Sequence, residues 1–219
     1  MKRLIQVIFL VSAFLMMLSP AAMASTLTAG DYIQLIYANF NSNYQNEGAG
    51  TMKYEVSTDN TFSNPFYIDT FCIQDHVNIA FGTVYKIAAL SNYVGNTSSS
   101  APFGGAPLNN AVNWLYHNYV IGKYGALNND QQADLQNLLW YLQEGSSLLT
   151  YSTSSAFYTD YNNNYDKSST ILWGTEVINI VDIGNGVIQN QLYAPVPEPS
   201  SLLLLGFGVS ALVFARRRK

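Results

Sequence analysis

Cys72 is the residue of this chain best suited to nucleophilic chemistry, and it is the only cysteine among 219 residues. A thiolate attacks carbonyl groups when a base activates it and a third group orients that base. His76 and Asp75 lie close by in sequence, and His117 comes later in the chain. These residues would suit a cysteine hydrolase, but no known protease signature surrounds Cys72. We expect both histidines to be surface or structural residues.

The lone thiol also has a structural interpretation, because free cysteines are among the most buried residues and often fill space in a core. One Cys, two His and scattered Asp residues give no recognised spacing for metal ligands. The glycine-containing stretch 103–107 lacks the lysine of a phosphate-binding loop. We therefore expect no metal site and no other cofactor.

Cys72 ends a segment with the alternation of a β-strand. Apolar and β-favouring residues alternate twice in the first half of the chain, at Met52, Tyr54 and Val56, and at Phe66, Ile68, Thr70 and Cys72. Strand-like sequence recurs at 83–87, 175–183 and 186–193, whereas 92–110 has the composition of a surface loop. The pattern predicts a β-rich body.

Gln136 lies on a predicted helix that begins near Asn128 or Asn129 and ends near Gly145. A preceding helix is indicated by apolar residues at helical spacing within 111–119. We predict an α+β fold, an antiparallel β-sandwich or barrel-like body with a helical insertion at about 109–145. The polar stretch up to residue 169 fits either a loop or a polar helix.

The sequence around Cys72 and Gln136 resembles that of bacterial thioester domains. An aromatic-Cys-Ile segment ends a strand, and Leu-Gln-x-x-x-Trp follows on a helix, so that the resemblance covers about residues 67–144. It implies that the side chains of Cys72 and Gln136 are joined, with Trp140 as the aromatic residue of the second motif. A partner amine or hydroxyl would then attack the acyl group and become covalently attached.

Apolar walls would protect such an acyl group from water. Phe71 precedes the cysteine, and Leu139 and Trp140 share a helix face with the glutamine, so we predict these three as walls of the pocket. The family usually has Thr before the Gln and Ala two positions after it, where this chain has Leu135 and Leu138.

The end of the chain resembles the PEP-CTERM sorting signal. Its three parts are a Pro-Glu-Pro motif, an apolar run at 202–215 and a basic cluster: Pro197, Glu198 and Pro199, then Arg216, Arg217 and Arg218 with Lys219. The resemblance implies cleavage by an exosortase in Gram-negative bacteria that make extracellular polysaccharide. As a helix the run would span only about 21 Å, and the cations would stay cytoplasmic. We predict a transient inner-membrane helix; an ordinary tail anchor is the alternative.

The start of the chain has the features of a signal peptide that signal peptidase removes. Lys2 and Arg3 precede an apolar run at 4–18 and the small-x-small sequence at 22–24. We therefore predict a signal peptide at 1–24, an exported domain at 25–194 and a sorting tail at 195–219.

The predicted exported domain is acidic. From residue 25 to residue 195 its cations are Lys53, Lys86, Lys123 and Lys167, against thirteen Asp and Glu residues, so its net charge is 4 − 13 = −9. This charge argues against nucleic acid and anionic lipid as partners. Abundant tyrosines and amides would suit sugar binding, in which rings stack on pyranose faces.

The predicted function is attachment and not enzymatic turnover. We expect an exported protein of the cell surface or extracellular matrix, bound through an internal Cys72–Gln136 thioester to a polysaccharide or a surface protein. The alternative is a noncovalent polysaccharide-binding or structural protein of the biofilm matrix, without a thioester.

Overall fold

Six antiparallel strands form one sheet in this computed structural model, which describes residues 27–38, 50–74, 77, 79–95, 105–145, 152–171, 173–182 and 188–195. The strands are β1 (Tyr32–Ala38), β2 (Met52–Ser57), β3 (Phe66–Thr70), β4 (Val84–Ser91), β5 (Glu176–Val181) and β6 (Gln191–Tyr193). Their order across the sheet is β3-β2-β1-β4-β5-β6. Residues 27–197 form one compact unit.

The period-two pattern of β2 explains how the sheet acquires an apolar face. Met52, Tyr54 and Val56 are buried, whereas Lys53 and Glu55 between them are partly exposed. The buried side chains join those of β1, β4 and β5 in a cluster that we call the barrel core; it includes Ile33, Leu35, Tyr85, Ile87, Ile178, Ile180 and Cys72. The strands predicted at 52–56 and 66–72 are confirmed, except that β3 ends at Thr70 and Cys72 follows in an isolated bridge.

The two edges of the sheet meet just after β3. Cys72 forms an isolated antiparallel bridge with Gln191. The Leu192 N–H donates to the Phe71 carbonyl at 2.9 Å, and the Ile73 N–H donates to the Asn190 carbonyl at 3.0 Å. We call these paired segments, 71–73 and 190–192, the seam. The sheet thus curves into the barrel-like body, one of the two predicted forms.

Three helices in the described ranges accompany the sheet: α1 (Asn110–Val120), α2 (Asn129–Glu144) and α3 (Ala156–Asn164). Asn109 caps α1 by accepting from the Ala111 N–H at 2.8 Å. The helix α2 ends at Glu144, and Gly145 caps its C-terminus with a left-handed φ of 65°. The predicted helical insertion at 109–145 is confirmed, and α3 lies in the polar stretch that fitted either a loop or a helix.

A second apolar cluster, the helix cluster, joins the three helices to the sheet. Leu115 from α1, Leu138 and Leu139 from α2, and Phe157 from α3 pack with Phe71 and Leu192 of the seam. The seam therefore contributes side chains to both clusters, because consecutive residues of an extended segment point to opposite faces.

The start of α2 provides a test of local stability. Asn128 accepts from the Gln131 N–H at 2.9 Å, and the Gln131 side chain accepts from the Asn128 N–H at 3.0 Å, which is a capping box. We expect Asn128→Ala to lower the free energy of unfolding by about 1 kcal/mol in urea denaturation. Asn128→Ser retains a capping oxygen and should stay near the wild type. Equal stability of the alanine variant would show that the box does not stabilise α2.

Candidate functional site at the barrel seam

Cys72 and Gln136 are in direct contact although they come from different elements. Cys72 lies in the seam, Gln136 lies in the middle of α2, and both are 0% exposed. The Cys72 Sγ is 3.5 Å from the Gln136 Oε1. The structure thus brings together the two residues that the sequence singled out.

Two further hydrogen bonds fix the Gln136 carboxamide against the seam backbone. Its Oε1 accepts from the Cys72 N–H at 3.1 Å, and its Nε2 donates to the Cys72 carbonyl at 2.7 Å. The side chain thereby satisfies both backbone groups of one residue, as a neighbouring strand would. Buried polar groups need such partners, so this carboxamide is part of the fold as well as a candidate reactant.

Two features of this arrangement would favour acyl transfer from a carboxamide. A nucleophilic sulfur lies beside the carbonyl group, and the Cys72 N–H already donates to the oxygen that would become negatively charged. A donor aimed at a developing oxyanion lowers the barrier to its formation. The site also lacks contact with bulk solvent, since both side chains are fully buried.

The predicted pocket walls are buried, but they do not all lie on the same side of the seam. Trp140 is 3% exposed and shares the barrel core with Cys72. Phe71 and Leu139 are 0% exposed and belong to the helix cluster. Trp140 is therefore the predicted wall that shares a cluster with the sulfur, and the other two close the opposite side of the seam.

Tyr54 is a neighbour of the site that the sequence reasoning did not assign to it. Complete burial raises the pKa of Tyr54 well above its usual value, and negative charge at Cys72 and at Tyr85 raises it further. The Tyr54 hydroxyl donates to the Met52 sulfur at 3.4 Å. Its inward position in the period-two pattern of β2 was the available signal, because inward residues of facing strands share the barrel interior.

The residues considered for a hydrolase are placed elsewhere or fall outside the described part of the chain. His117 lies on α1, where its ring centroid is 5.6 Å from that of Trp173. Asp75 and His76 are outside the described residues. Within the described residues no group of three or more His, Cys, Asp or Glu side chains could hold a metal ion.

Comparison with known proteins identifies the end of the chain. Residues 195–219 match the family described as the PEP-CTERM protein-sorting motif. The motif identifies an exported protein that is sorted by an exosortase, with a membrane-associated tail before processing. Neither the curated proteins nor the solved structures gave a match to the chain.

The tail and the predicted signal peptide both lie outside the described residues. Of the helices in the described ranges, none combines the length and the apolar character that crossing a bilayer requires. The transient membrane helix at 202–215 stays a prediction.

Proposed function

We propose that this exported protein attaches covalently to its partner through an internal thioester between the Cys72 sulfur and the Gln136 acyl group. The observation that carries the proposal is the buried contact of the two side chains, with the sulfur 3.5 Å from the carbonyl oxygen. The sequence motifs around these two residues, which resemble those of thioester domains, predict the same pair.

Formation of the bond requires no co-reactant. The Cys72 sulfur attacks the Gln136 Cδ, and the electron pair of the C=O bond moves to Oε1, where the Cys72 N–H already donates. The Cδ–Nε2 bond then breaks as the oxyanion collapses. The thiol proton leaves with the nitrogen as ammonia, and the acyl group remains on sulfur.

Capture of a partner reverses the roles of the two residues. An amine or hydroxyl of the partner adds to the Gln136 acyl carbon, the carbon–sulfur bond breaks, and the Cys72 thiolate takes the proton that the nucleophile loses. The products are an amide or ester at Gln136 and a free thiol at Cys72. One molecule reacts once, so the protein acts as an adhesive and not as an enzyme.

Burial explains how a reactive acyl group would survive outside the cell. Water hydrolyses thioesters, but Cys72 and Gln136 are 0% exposed, and Cys72 lies in the same apolar cluster as Trp140. Exclusion of water also strengthens the hydrogen bonds to the carbonyl oxygen. The sorting motif would bring the protein to the cell surface or extracellular matrix, where a polysaccharide or a surface protein supplies the nucleophile.

The decisive experiment measures the intact mass of the mature protein, which is purified from its host after natural processing and without added amines. We expect a mass about 17 Da below that calculated for the mature sequence, because one ammonia is lost. Treatment with methylamine should add one equivalent at Gln136 and release Cys72 for alkylation.

A control is needed because asparagine can also lose ammonia, most readily before glycine, as at Asn185-Gly186. The deficit and the methylamine addition should both vanish in Cys72→Ala, whereas an asparagine product would persist. An unshifted wild-type mass, with Cys72 fully alkylated after denaturation, would contradict the proposal.

A further inference from the structure

A cleft of about 400 Å³ lies where β3, α1 and the end of β6 meet. Its lining includes Asp69 from β3, Tyr116 and Tyr119 from α1, and Tyr193 from β6. The volume is within the range of small-molecule sites, roughly 300–1,000 Å³. The cleft lies next to the seam, because Asp69 precedes Thr70 and Tyr193 follows Leu192, and the Thr70 hydroxyl donates to the Leu192 carbonyl.

The aromatic lining is held in place by the seam. The Tyr116 hydroxyl donates to the Leu192 carbonyl at 3.3 Å and is 3.5 Å from the Thr70 hydroxyl, which itself donates to the same carbonyl. The Phe71 ring meets that of Tyr119 edge-on, with centroids 5.2 Å apart. Rings that are fixed before binding lose little conformational entropy when a ligand arrives.

The polar groups of the cleft favour hydroxyl donors over anions. Asp69 supplies an exposed carboxylate, and the described residues of the lining include no lysine, arginine or histidine. Burial raises the pKa of Tyr119, and the negative charge of Asp69 raises it further, which keeps this hydroxyl protonated. Lys53 of β2 lies opposite Asp69 across the strand pair, but its ammonium lies over the Tyr67 ring, 5.7 Å from the centroid, and it is not among the described lining residues. An anionic ligand in the cleft would therefore meet the Asp69 carboxylate first.

We propose that this cleft binds an uncharged sugar unit of a saccharide. The C–H face of a pyranose would stack on the half-buried rings of Tyr119 and Tyr193, and its hydroxyls would donate to Asp69. Tyr116 is 2% exposed and packs against Tyr119, with ring centroids 5.9 Å apart, so it supports the Tyr119 ring and offers almost no stacking surface itself. The proposal does not depend on the thioester.

Saturation-transfer NMR on the full chain, in a detergent without a sugar headgroup, tests this site. The probes are cellobiose, lactose and N,N′-diacetylchitobiose, with glucuronic acid and tetramethylammonium for comparison. We expect transfer to at least one neutral disaccharide and none to glucuronic acid. Asp69→Ala should weaken that binding about tenfold or more, through loss of a charged acceptor, while Asp69→Asn keeps an acceptor and should stay within about threefold.

Tyr67→Ala is the matched control, because Tyr67 is also on β3 and is 55% exposed but does not line the cleft. It should bind the sugar as the wild type does. Cys72→Ala should do so as well, so that failure of the thioester leaves this test intact. Absence of transfer to all three disaccharides, wild-type binding by Asp69→Ala, or binding of tetramethylammonium alone would each overturn the proposal.

Discussion

Gln136→Leu is expected to lower the free energy of unfolding by about 2–5 kcal/mol, because it removes both hydrogen bonds that the buried carboxamide makes to the Cys72 backbone. The Cys72 N–H and carbonyl both bond to the Gln136 carboxamide, and both residues are 0% exposed. Urea denaturation in a Cys72→Ala background measures these hydrogen bonds alone, since no thioester can form there.

Gln143 provides the matched control on the same helix. Its side chain also makes bonds in both directions, accepting from the Asn109 N–H at 2.9 Å and donating to the Pro107 carbonyl at 3.2 Å, but these bonds are exposed. Water can replace them, so Gln143→Leu should cost about 1 kcal/mol or less. Equal losses for the two variants would contradict a special role of Gln136 in holding the seam.

Gln136→Glu adds a pH dependence to the same test. Burial and the adjacent Cys72 carbonyl would raise the pKa of the new carboxyl above its unfolded value near 4.3. The protonated acid can still donate to that carbonyl, so the variant should differ least from the Gln136 protein below pH 4. The comparison at each pH is with Gln136 in the same background, because acid also weakens the whole fold by protonating Asp59, Asp160 and Asp166, whose pKa values are lowered in it. Stability should fall as the pH rises through and above the unfolded pKa, because the unfolded chain then releases a proton that the folded chain retains.

Alkaline pH is expected to destabilise the fold steeply. Burial is the main cause that raises the pKa of Tyr54 and of Tyr116, so the folded chain keeps protons that the unfolded chain loses above about pH 10. The contribution of these tyrosines to the free energy of unfolding is fully present below pH 10. Above pH 10 it declines by about 1.4 kcal/mol per pH unit for each tyrosine.

Urea denaturation between pH 9 and pH 11.5 measures how the free energy of unfolding changes with pH. Each measurement is completed quickly to limit alkaline hydrolysis of the protein. Tyr54→Phe and Tyr116→Phe should each remove about 1.4 kcal/mol per pH unit from this slope. The control is Tyr67→Phe, at an exposed tyrosine of β3, which should leave the slope unchanged. A wild-type slope retained in both buried variants would refute the assignment.

The sequence predicted the local elements well, because their signals are local. Asn128 and Gly145 mark the ends of α2 through capping chemistry, and Gln136 faces inward through helical spacing. The pairing of Cys72 with Gln136 was predicted only from a family resemblance, since periodicity does not say which strand meets which helix.

The seam itself was not predicted, for a physical reason. Thr70 and Leu192 are 122 positions apart and still share a hydrogen bond, and no local pattern records such a pairing. The predicted strand at 186–193 gave the type of element but not its partner. Among its described residues, 188–193, the strand β6 covers Gln191–Tyr193, and 186–187 lie outside the described part of the chain. The place of Tyr54 beside the site and the position of the cleft were not predicted for the same reason, because both depend on how the sheet curves.

The seam also determines the order in which parts of the domain can fold as the chain is synthesised. One half of it, 71–73, is made early, and the other half, 190–192, is nearly the last part of the exported domain to be synthesised. Cys72 therefore stays without its cross-strand partner until almost the whole domain has emerged, and closing so long a loop is a late step. Until then the thiol is open to oxidation, and its protection is completed by the strand that directly precedes the sorting tail.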